Sequence, residues 1–163
     1  TRACGVLTKL RDAAPACVRA ALLRSWLNGW CTGRRFQQAL QCIFGCAHED
    51  SIEHYAGCPV VRDFARRRLA LSDGSGGISE FLLIDQAPAL VDRDVLTLRA
   101  LRTAAVYRVH CRARHAASRD TVTADALGTA AVELVRGHAA ASVPLVLTLT
   151  VIARPAGRED AAS

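Results

Sequence analysis

The chain has 163 residues, which suits one domain of ordinary size. Apolar residues make up 51 % of the sequence, so a buried core is feasible, but aromatic residues make up only 5 %. The formal net charge is +6 at pH 7, and Lys9 is the only lysine. Arginine guanidinium groups bind phosphate through paired hydrogen bonds, so this balance favours RNA or DNA as a partner. A GC-rich genome, whose codons favour arginine and alanine, would explain the same excess of arginine over lysine.

The composition also excludes several classes of protein. Seven cysteines are an odd number, and the start of the chain lacks the apolar stretch of a secretory signal peptide, so no disulfide framework is expected. The longest apolar run near the end, residues 143–153, is too short to span a bilayer. We expect no membrane association and an intracellular location, nuclear or cytoplasmic. The absence of methionine, even at position 1, leads us to expect a fragment of a longer protein.

Apolar residues recur at helical spacing along most of the chain. Pro59 suits the first turn of a helix, and Asp92 can cap the longest one. Residues 143–153 alternate in part and could form an isolated strand or belong to a disordered tail. The pattern predicts helices over residues 12–30, 59–71, 78–84, 92–117 and 121–140.

Three cysteines and one histidine are concentrated in a short segment. Cys42 and Cys46 are separated by three residues, and His54 and Cys58 repeat that spacing after seven more residues. Two such pairs of ligands, one loop apart, can complete the tetrahedron of a structural zinc site. The sequence therefore predicts Zn²⁺ held by these four side chains.

The residues between the ligands support a closed zinc site. Gly45 permits a tight turn, and Asp50 or Ser51 can cap a helical turn that carries the second ligand pair. Four protein ligands leave no open coordination position, so the metal is expected to be structural. His48 is a competing nitrogen ligand and Cys31 a competing thiol, and buried cysteines without a metal are the alternative.

These elements together predict an all-α fold: a small helical domain with a zinc-stapled Cys3His loop and a C-terminal strand or disordered tail. The predicted organisation is an N-terminal helix and basic connection at 1–41, a zinc knuckle at 42–58, a helical region at 59–140 and a tail at 141–163.

Basic and aromatic residues surround the predicted zinc loop. Trp30, Phe36, Phe44 and Tyr55 could stack on bases, although we favour Phe44 and Tyr55 as a small core beneath the ion. A solvated helix face is the alternative for the arginine run on the second helix. The candidate contacts to phosphate are Arg34, Arg35, Arg62, Arg66, Arg67 and Arg68.

The segment from Asp50 to Pro59, Asp-Ser-Ile-Glu-His-Tyr-Ala-Gly-Cys-Pro, follows a Cys-x3-Cys pair. It resembles the zinc-binding region downstream of the polymerase in non-LTR (LINE-type) retrotransposon reverse transcriptases. Those proteins carry a Cys pair, an acidic stretch, Ile/Leu-Glu-His, and a Cys-Pro that begins a helix. The likeness covers about residues 22–70, with a weaker similarity as far as 115. Many relatives have two residues in the first gap and four in the last, whereas both gaps are three here.

The resemblance implies that Cys42, Cys46, His54 and Cys58 are the zinc ligands. It also implies a role in handling template RNA or target DNA beside the polymerase of a parent polyprotein. The chain itself has no Asp-Asp pair for two Mg²⁺ ions, no P-loop and no G-x-S-x-G motif. We therefore expect a nucleic-acid-binding structural zinc module with no catalysis in this chain. The alternative is a helical protein-interaction or structural module, or a non-functional remnant.

Overall fold

The computed structural model describes residues 2–72, 77–84, 87, 90–116 and 122–136. These residues contain no β-strand, so the predicted all-α class is confirmed. The predicted strand or tail at 141–163 lies outside the described residues. In chain order the helices are α1 (Arg2–Leu10), α2 (Ala16–Trp26), α3 (Ile52–Gly57), α4 (Pro59–Leu69), α5 (Gly77–Phe81), α6 (Arg93–His115) and α7 (Ala124–Arg136).

Local signals at two helix starts agree with the structure. Pro59 is the first residue of α4, where its missing N–H costs no hydrogen bond. The Asp92 carboxylate accepts hydrogen bonds from the backbone N–H groups of Asp94, at 2.8 Å, and Val95, at 3.2 Å. These bonds satisfy donors that the first turn of α6 leaves unpaired.

The N-terminal region departs from the prediction. α1 was not predicted, and α2 begins after Pro15 and ends at Trp26, four residues before the predicted end at Trp30. Asn28 adopts a left-handed backbone with φ 58°, and the N–H of Gly29 returns to the Arg24 carbonyl at 2.7 Å. Such a left-handed residue terminates a helix, so Trp30 belongs to the connection that follows.

The longest helix, α6, lies at the centre of the fold. It packs most extensively against α2 and α7, while α4 packs on α7 and α1 also reaches α6. Ala100, Ala104 and Ala105 are fully buried on α6, and their small side chains allow neighbouring helices to approach closely. No helix in the described part of the chain is both long and apolar enough to cross a membrane.

Trp30 joins the predicted zinc segment to this helical core. Its fully buried ring lies 5.8 Å from the ring of Tyr55, 6.3 Å from Phe81, 5.1 Å from Tyr107 and 5.3 Å from His110, measured between ring centroids. Tyr55 belongs to α3, Phe81 to α5, and the other two to α6. One tryptophan therefore fixes the connection before the zinc segment against three helices.

Candidate metal centre

Residues 40–50 form a short closed loop, which we call the metal loop. The N–H of Cys42 donates to the His48 carbonyl at 2.9 Å, and the N–H of Asp50 donates to the Leu40 carbonyl at 2.9 Å. Gly45 occupies the tip with φ 78°, a conformation that glycine adopts without strain. The loop therefore turns tightly between the first two cysteines, as the sequence predicts.

The second ligand pair lies where α3 meets α4. The Ser51 hydroxyl accepts a hydrogen bond from the N–H of His54 at 3.1 Å, so Ser51, and not Asp50, caps α3. His54 lies on α3, and Cys58 occupies the junction immediately before Pro59. A six-residue helix held between a serine cap and a proline-initiated helix thus sets the positions of both ligands.

The structure brings all four predicted ligands together. The ligand atoms of Cys42, Cys46, His54 and Cys58 lie within 4.8 Å of one another. Cys46 Sγ is 2.9 Å from His54 Nε2 and 3.8 Å from Cys58 Sγ. Cys42 and Cys58 are buried, whereas Cys46 and His54 are partly accessible. This cluster could hold a metal ion.

The donor set fits zinc. With Zn–S bonds of about 2.3 Å, two sulfurs of a tetrahedral site lie about 3.8 Å apart. That is the separation of Cys46 and Cys58. Three thiolates and one imidazole are a usual set for structural zinc, and softer ligands of this kind disfavour Mg²⁺ and Ca²⁺.

Backbone amides around Cys58 favour its thiolate form. The pKa of Cys58 is lowered to about 5, chiefly because its sulfur accepts a hydrogen bond from the Cys42 thiol, although burial acts in the opposite direction. The backbone N–H groups of Val61 and Val60, in the first turn of α4, lower this pKa further. Metal ligation requires deprotonated cysteine, and the first turn of α4 contributes to that form of Cys58.

The other two sulfurs also face backbone N–H groups. The pKa of Cys42 is raised, first by its hydrogen bond to Cys58 and then by burial, and the N–H of Phe44 opposes that rise. Burial raises the pKa of Cys46, and the N–H of His48 is among the groups that oppose it. Each cysteine of the metal loop is therefore approached by the amide two residues further along the chain. A bound cation would gain from these contacts because they stabilise sulfur that carries negative charge.

The competing ligands lie outside the cluster. The His48 ring stacks on the His54 ring, with centroids 4.8 Å apart and planes inclined by 9°. Neither His48 nor Cys31 belongs to the group whose ligand atoms converge. The exposed His48 ring thus packs flat against the imidazole of His54.

A buried carboxylate connects the metal loop to the rest of the fold, and the sequence did not reveal it. Asp50 is fully buried, and its Oδ2 accepts hydrogen bonds from the N–H of Gly33, at 2.6 Å, and from Arg114. Its Oδ1 accepts from the Tyr55 hydroxyl and lies 3.9 Å from His110 Nδ1. Arg114 and His110 lie on α6, so Asp50 joins the metal loop, the preceding connection and the central helix.

The environment of this network keeps its aromatic members neutral. Burial is the main cause that lowers the pKa of His110 to about 4; Arg114 lowers it as well, and Asp50 opposes the shift. Burial and the hydrogen bond to Asp50 raise the pKa of Tyr55. The Tyr55 hydroxyl donates to Asp50, and its oxygen lies 3.2 Å from His110 Nδ1.

Two predicted phosphate contacts precede the metal loop, in a short 3-10 helix (Arg34–Phe36). Arg34 is exposed and lies 3.7 Å from the Glu53 carboxylate of α3. Arg35 donates to the carbonyls of Asn28 and Trp30, so its guanidinium binds the backbone of the segment that follows α2. Arg34 is therefore the more available of the two.

The four candidate arginines on α4 have different surroundings. Arg62 is exposed beside Gly57, its guanidinium 3.9 Å from where a Cβ of that glycine would lie. Arg66 and Arg67 are exposed and pair with Asp63 at 2.9 Å and 2.8 Å. The remaining arginine of the run, Arg68, is half-buried against Gly128 of α7. The run does not form one uniform basic face.

The four aromatic residues considered for base stacking differ in their exposure to solvent. Trp30, Phe44 and Tyr55 are buried, which confirms the expectation that Phe44 and Tyr55 form a small core. Their rings meet edge to face with centroids 5.8 Å apart. Phe36, in contrast, is 54 % exposed.

Comparisons with protein-family models, with curated proteins and with solved structures gave no match. A functional proposal for this chain is therefore supported by the geometry of its metal centre and by the charges around that centre.

Proposed function

We propose that this protein is a structural zinc module that binds RNA or DNA. The observation that carries the proposal is the convergence of three thiols and one imidazole within 4.8 Å. Zinc at this position would be held by Cys42, Cys46, His54 and Cys58. It would supply a cross-link between the metal loop and the α3–α4 junction, because four protein ligands leave no position for substrate.

The charges around the centre favour a polyanion. A Cys3His zinc site carries a charge of about −1, yet the chain as a whole carries +6. Arg34 lies beside Glu53 in the first turn of α3, and Arg62 lies beside Gly57 at its last residue. The two exposed guanidinium groups thus flank the helix that carries His54. In the proposed complex they contact phosphates, together with Arg66 one turn further along α4.

The resemblance to non-LTR reverse transcriptases agrees with this proposal. The Ile-Glu-His segment forms α3, and the Cys-Pro dipeptide begins α4. We place the module in the region downstream of the polymerase, where it would hold template RNA or target DNA for the remainder of the parent polyprotein. Catalysis would belong to that remainder.

Salt dependence tests the phosphate contacts. Binding of a fluorescent single-stranded RNA or DNA to the zinc-loaded protein should weaken steeply between about 50 and 200 mM salt, with a log–log slope near −0.7 per phosphate contact. Replacing Arg34 and Arg62 together by Ala should make the slope shallower by about 1.4. Arg11→Ala, which alters an exposed arginine outside the candidate site, is the matched control.

Two results would contradict the proposal. One is an affinity that does not change with salt, and the other is the absence of binding by a folded, zinc-loaded chain. The second result would favour a helical protein-interaction or structural module.

A further inference from the structure

Phe36 has an environment that no other aromatic residue of this chain shares. Every tryptophan, tyrosine and phenylalanine lies in the part of the chain that the structure describes, and Phe36 alone among them is exposed. Exposing a phenylalanine forgoes the gain of burying it, about 1.5–3 kcal/mol. Such a ring on a basic protein is a candidate contact for a ligand with an aromatic face.

The turn that carries Phe36 is held firmly. We call residues 33–38 the basic turn. The Gly33 carbonyl accepts from the N–H groups of Phe36, at 3.1 Å, and Gln38, at 2.8 Å. The N–H of Gly33 donates to the buried Asp50 carboxylate at 2.6 Å, and the N–H of Arg34 donates to the Asp50 carbonyl at 3.2 Å. Because the backbone is already ordered, a ligand that binds the ring would lose little conformational entropy.

The groups beside the ring select a phosphate-bearing ligand. The Arg35 guanidinium lies over one face of the Phe36 ring, 5.5 Å from its centroid, and is fixed there by the carbonyls of Asn28 and Trp30. Arg34 has a 58 % exposed side chain, and its ion pair with Glu53 is long at 3.7 Å. An exposed pair of this kind is worth about 0–1 kcal/mol, so a phosphate can readily displace the carboxylate.

From this arrangement we infer that Phe36 is a stacking platform for an unpaired base of single-stranded RNA or DNA. The base lies against the face of the ring opposite the Arg35 guanidinium, and the adjoining phosphate pairs with Arg34. Duplex nucleic acid is excluded from this contact because its bases are stacked on one another. The inference rests on the proposed nucleic-acid binding and adds the strand type and the residue that contacts the base.

Three probes separate the base from the phosphate contribution: an oligothymidylate of about 12 nucleotides, an abasic strand of the same length, and a duplex. Phe36→Ala should weaken oligothymidylate binding by about 5- to 150-fold and leave the abasic strand's affinity unchanged. Phe36→Trp should retain the affinity, and its added fluorescence should be quenched by oligothymidylate but not by the abasic strand. Leu90→Ala, at another exposed apolar residue, should alter neither affinity.

The outcomes distinguish base stacking on Phe36 from the proposed binding of nucleic acid through phosphate. If wild type and Phe36→Ala bind oligothymidylate equally, stacking is wrong and phosphate binding stands. Stacking is also wrong if Phe36→Ala weakens binding of the abasic strand as much as binding of oligothymidylate. A preference for duplex, or Phe36→Trp fluorescence that oligothymidylate does not quench, would overturn it as well. If the zinc-loaded wild type binds none of the probes, both are wrong. If Phe36→Ala loses zinc or helicity, the Phe36→Trp protein provides the test: quenching by oligothymidylate alone supports stacking, and its absence contradicts stacking.

Discussion

Asp50 is a fully buried carboxylate at which three segments of the chain meet. It accepts hydrogen bonds from Gly33 in the basic turn, from Tyr55 on α3 and from Arg114 on α6. A buried charge is tolerated only when it is paired and hydrogen-bonded, as this one is. Removing the carboxylate would leave Arg114, whose side chain is 14 % exposed, without its buried partner.

The first prediction concerns this residue. Asp50→Ala should lower the free energy of unfolding by about 3–5 kcal/mol, because it breaks a buried ion pair and its hydrogen bonds. Asp63→Ala, which removes the partner of two exposed arginines, should cost less than about 1 kcal/mol. Urea denaturation of the zinc-loaded proteins measures both. Equal losses would show that Asp50 does not hold the segments together.

The second prediction uses the pKa of His110, which is lowered from 6.5 to about 4. The unfolded chain takes up this proton near pH 6.5 and the folded chain only near pH 4, so stability falls as the pH drops through that window. The neutral His110 side chain contributes fully to the free energy of unfolding above pH 6.5. The loss of that contribution on acidification amounts to about 3 kcal/mol at most. The charged or titratable groups that act on His110 are Asp50, Arg114, Tyr55 and His115.

The change His110→Gln should remove this part of the pH dependence. Urea unfolding of the variant and the wild type would be compared at several pH values between 7 and 4. Protonation of the metal ligands affects both proteins, so it cancels in the difference. Parallel curves for the two proteins would contradict the assignment.

At the scale of elements, two glycines differ in the space available for a side chain. A Cβ on Gly33 would lie 2.8 Å from the Leu40 Cβ and 2.9 Å from the Gln38 carbonyl oxygen, so the basic turn would have to open. The three atoms nearest to a Cβ on Gly128 would all belong to the end of the flexible Arg68 side chain, the closest at 3.2 Å. Because alanine also favours a helix, the two substitutions should have opposite effects.

The third prediction is therefore a pair of variants. Gly33→Ala should destabilise the protein by about 1–3 kcal/mol, whereas Gly128→Ala should be neutral or should stabilise it by up to about 1 kcal/mol. Thermal unfolding followed by circular dichroism compares them. A larger loss for Gly128→Ala than for Gly33→Ala would mean that the basic turn is not tightly closed.

The elements that sequence could predict are those with strong local signals. Pro59 and Asp92 indicated the starts of α4 and α6, and ligand spacing indicated the metal centre. The early end of α2 depends on a left-handed Asn28, which asparagine tolerates but does not require. The Asp50 network could not be predicted, because Arg114 is 64 residues away in the chain and only packing brings it near. The resemblance to reverse transcriptases stays a prediction.

At the scale of the whole molecule, the metal centre and the helical core differ in what stabilises them. α6 packs against α2 and α7 through buried alanine and leucine side chains. The metal loop instead depends on a few backbone hydrogen bonds, on Asp50 and on the ligand cluster. Structural zinc sites contribute folding free energy directly, so the loop should depend on the ion more than α6 does.

The fourth prediction follows from this difference. Stripping the metal with a chelator under reducing conditions should raise amide hydrogen exchange in residues 33–58 before it does so in α6. Binding of single strands should be lost in parallel, because the basic turn is anchored to the metal loop through Asp50. Uniform protection with and without the chelator would be inconsistent with this coupling.

The most direct test is the metal content of the reduced, purified protein, measured by native mass spectrometry. The wild type should carry one zinc ion per chain. Cys58→Ser should lose the zinc together with part of its helicity, whereas Cys111→Ser, a control at a cysteine outside the ligand cluster, should retain both. A wild-type protein that is zinc-free and yet fully folded would contradict the structural zinc centre.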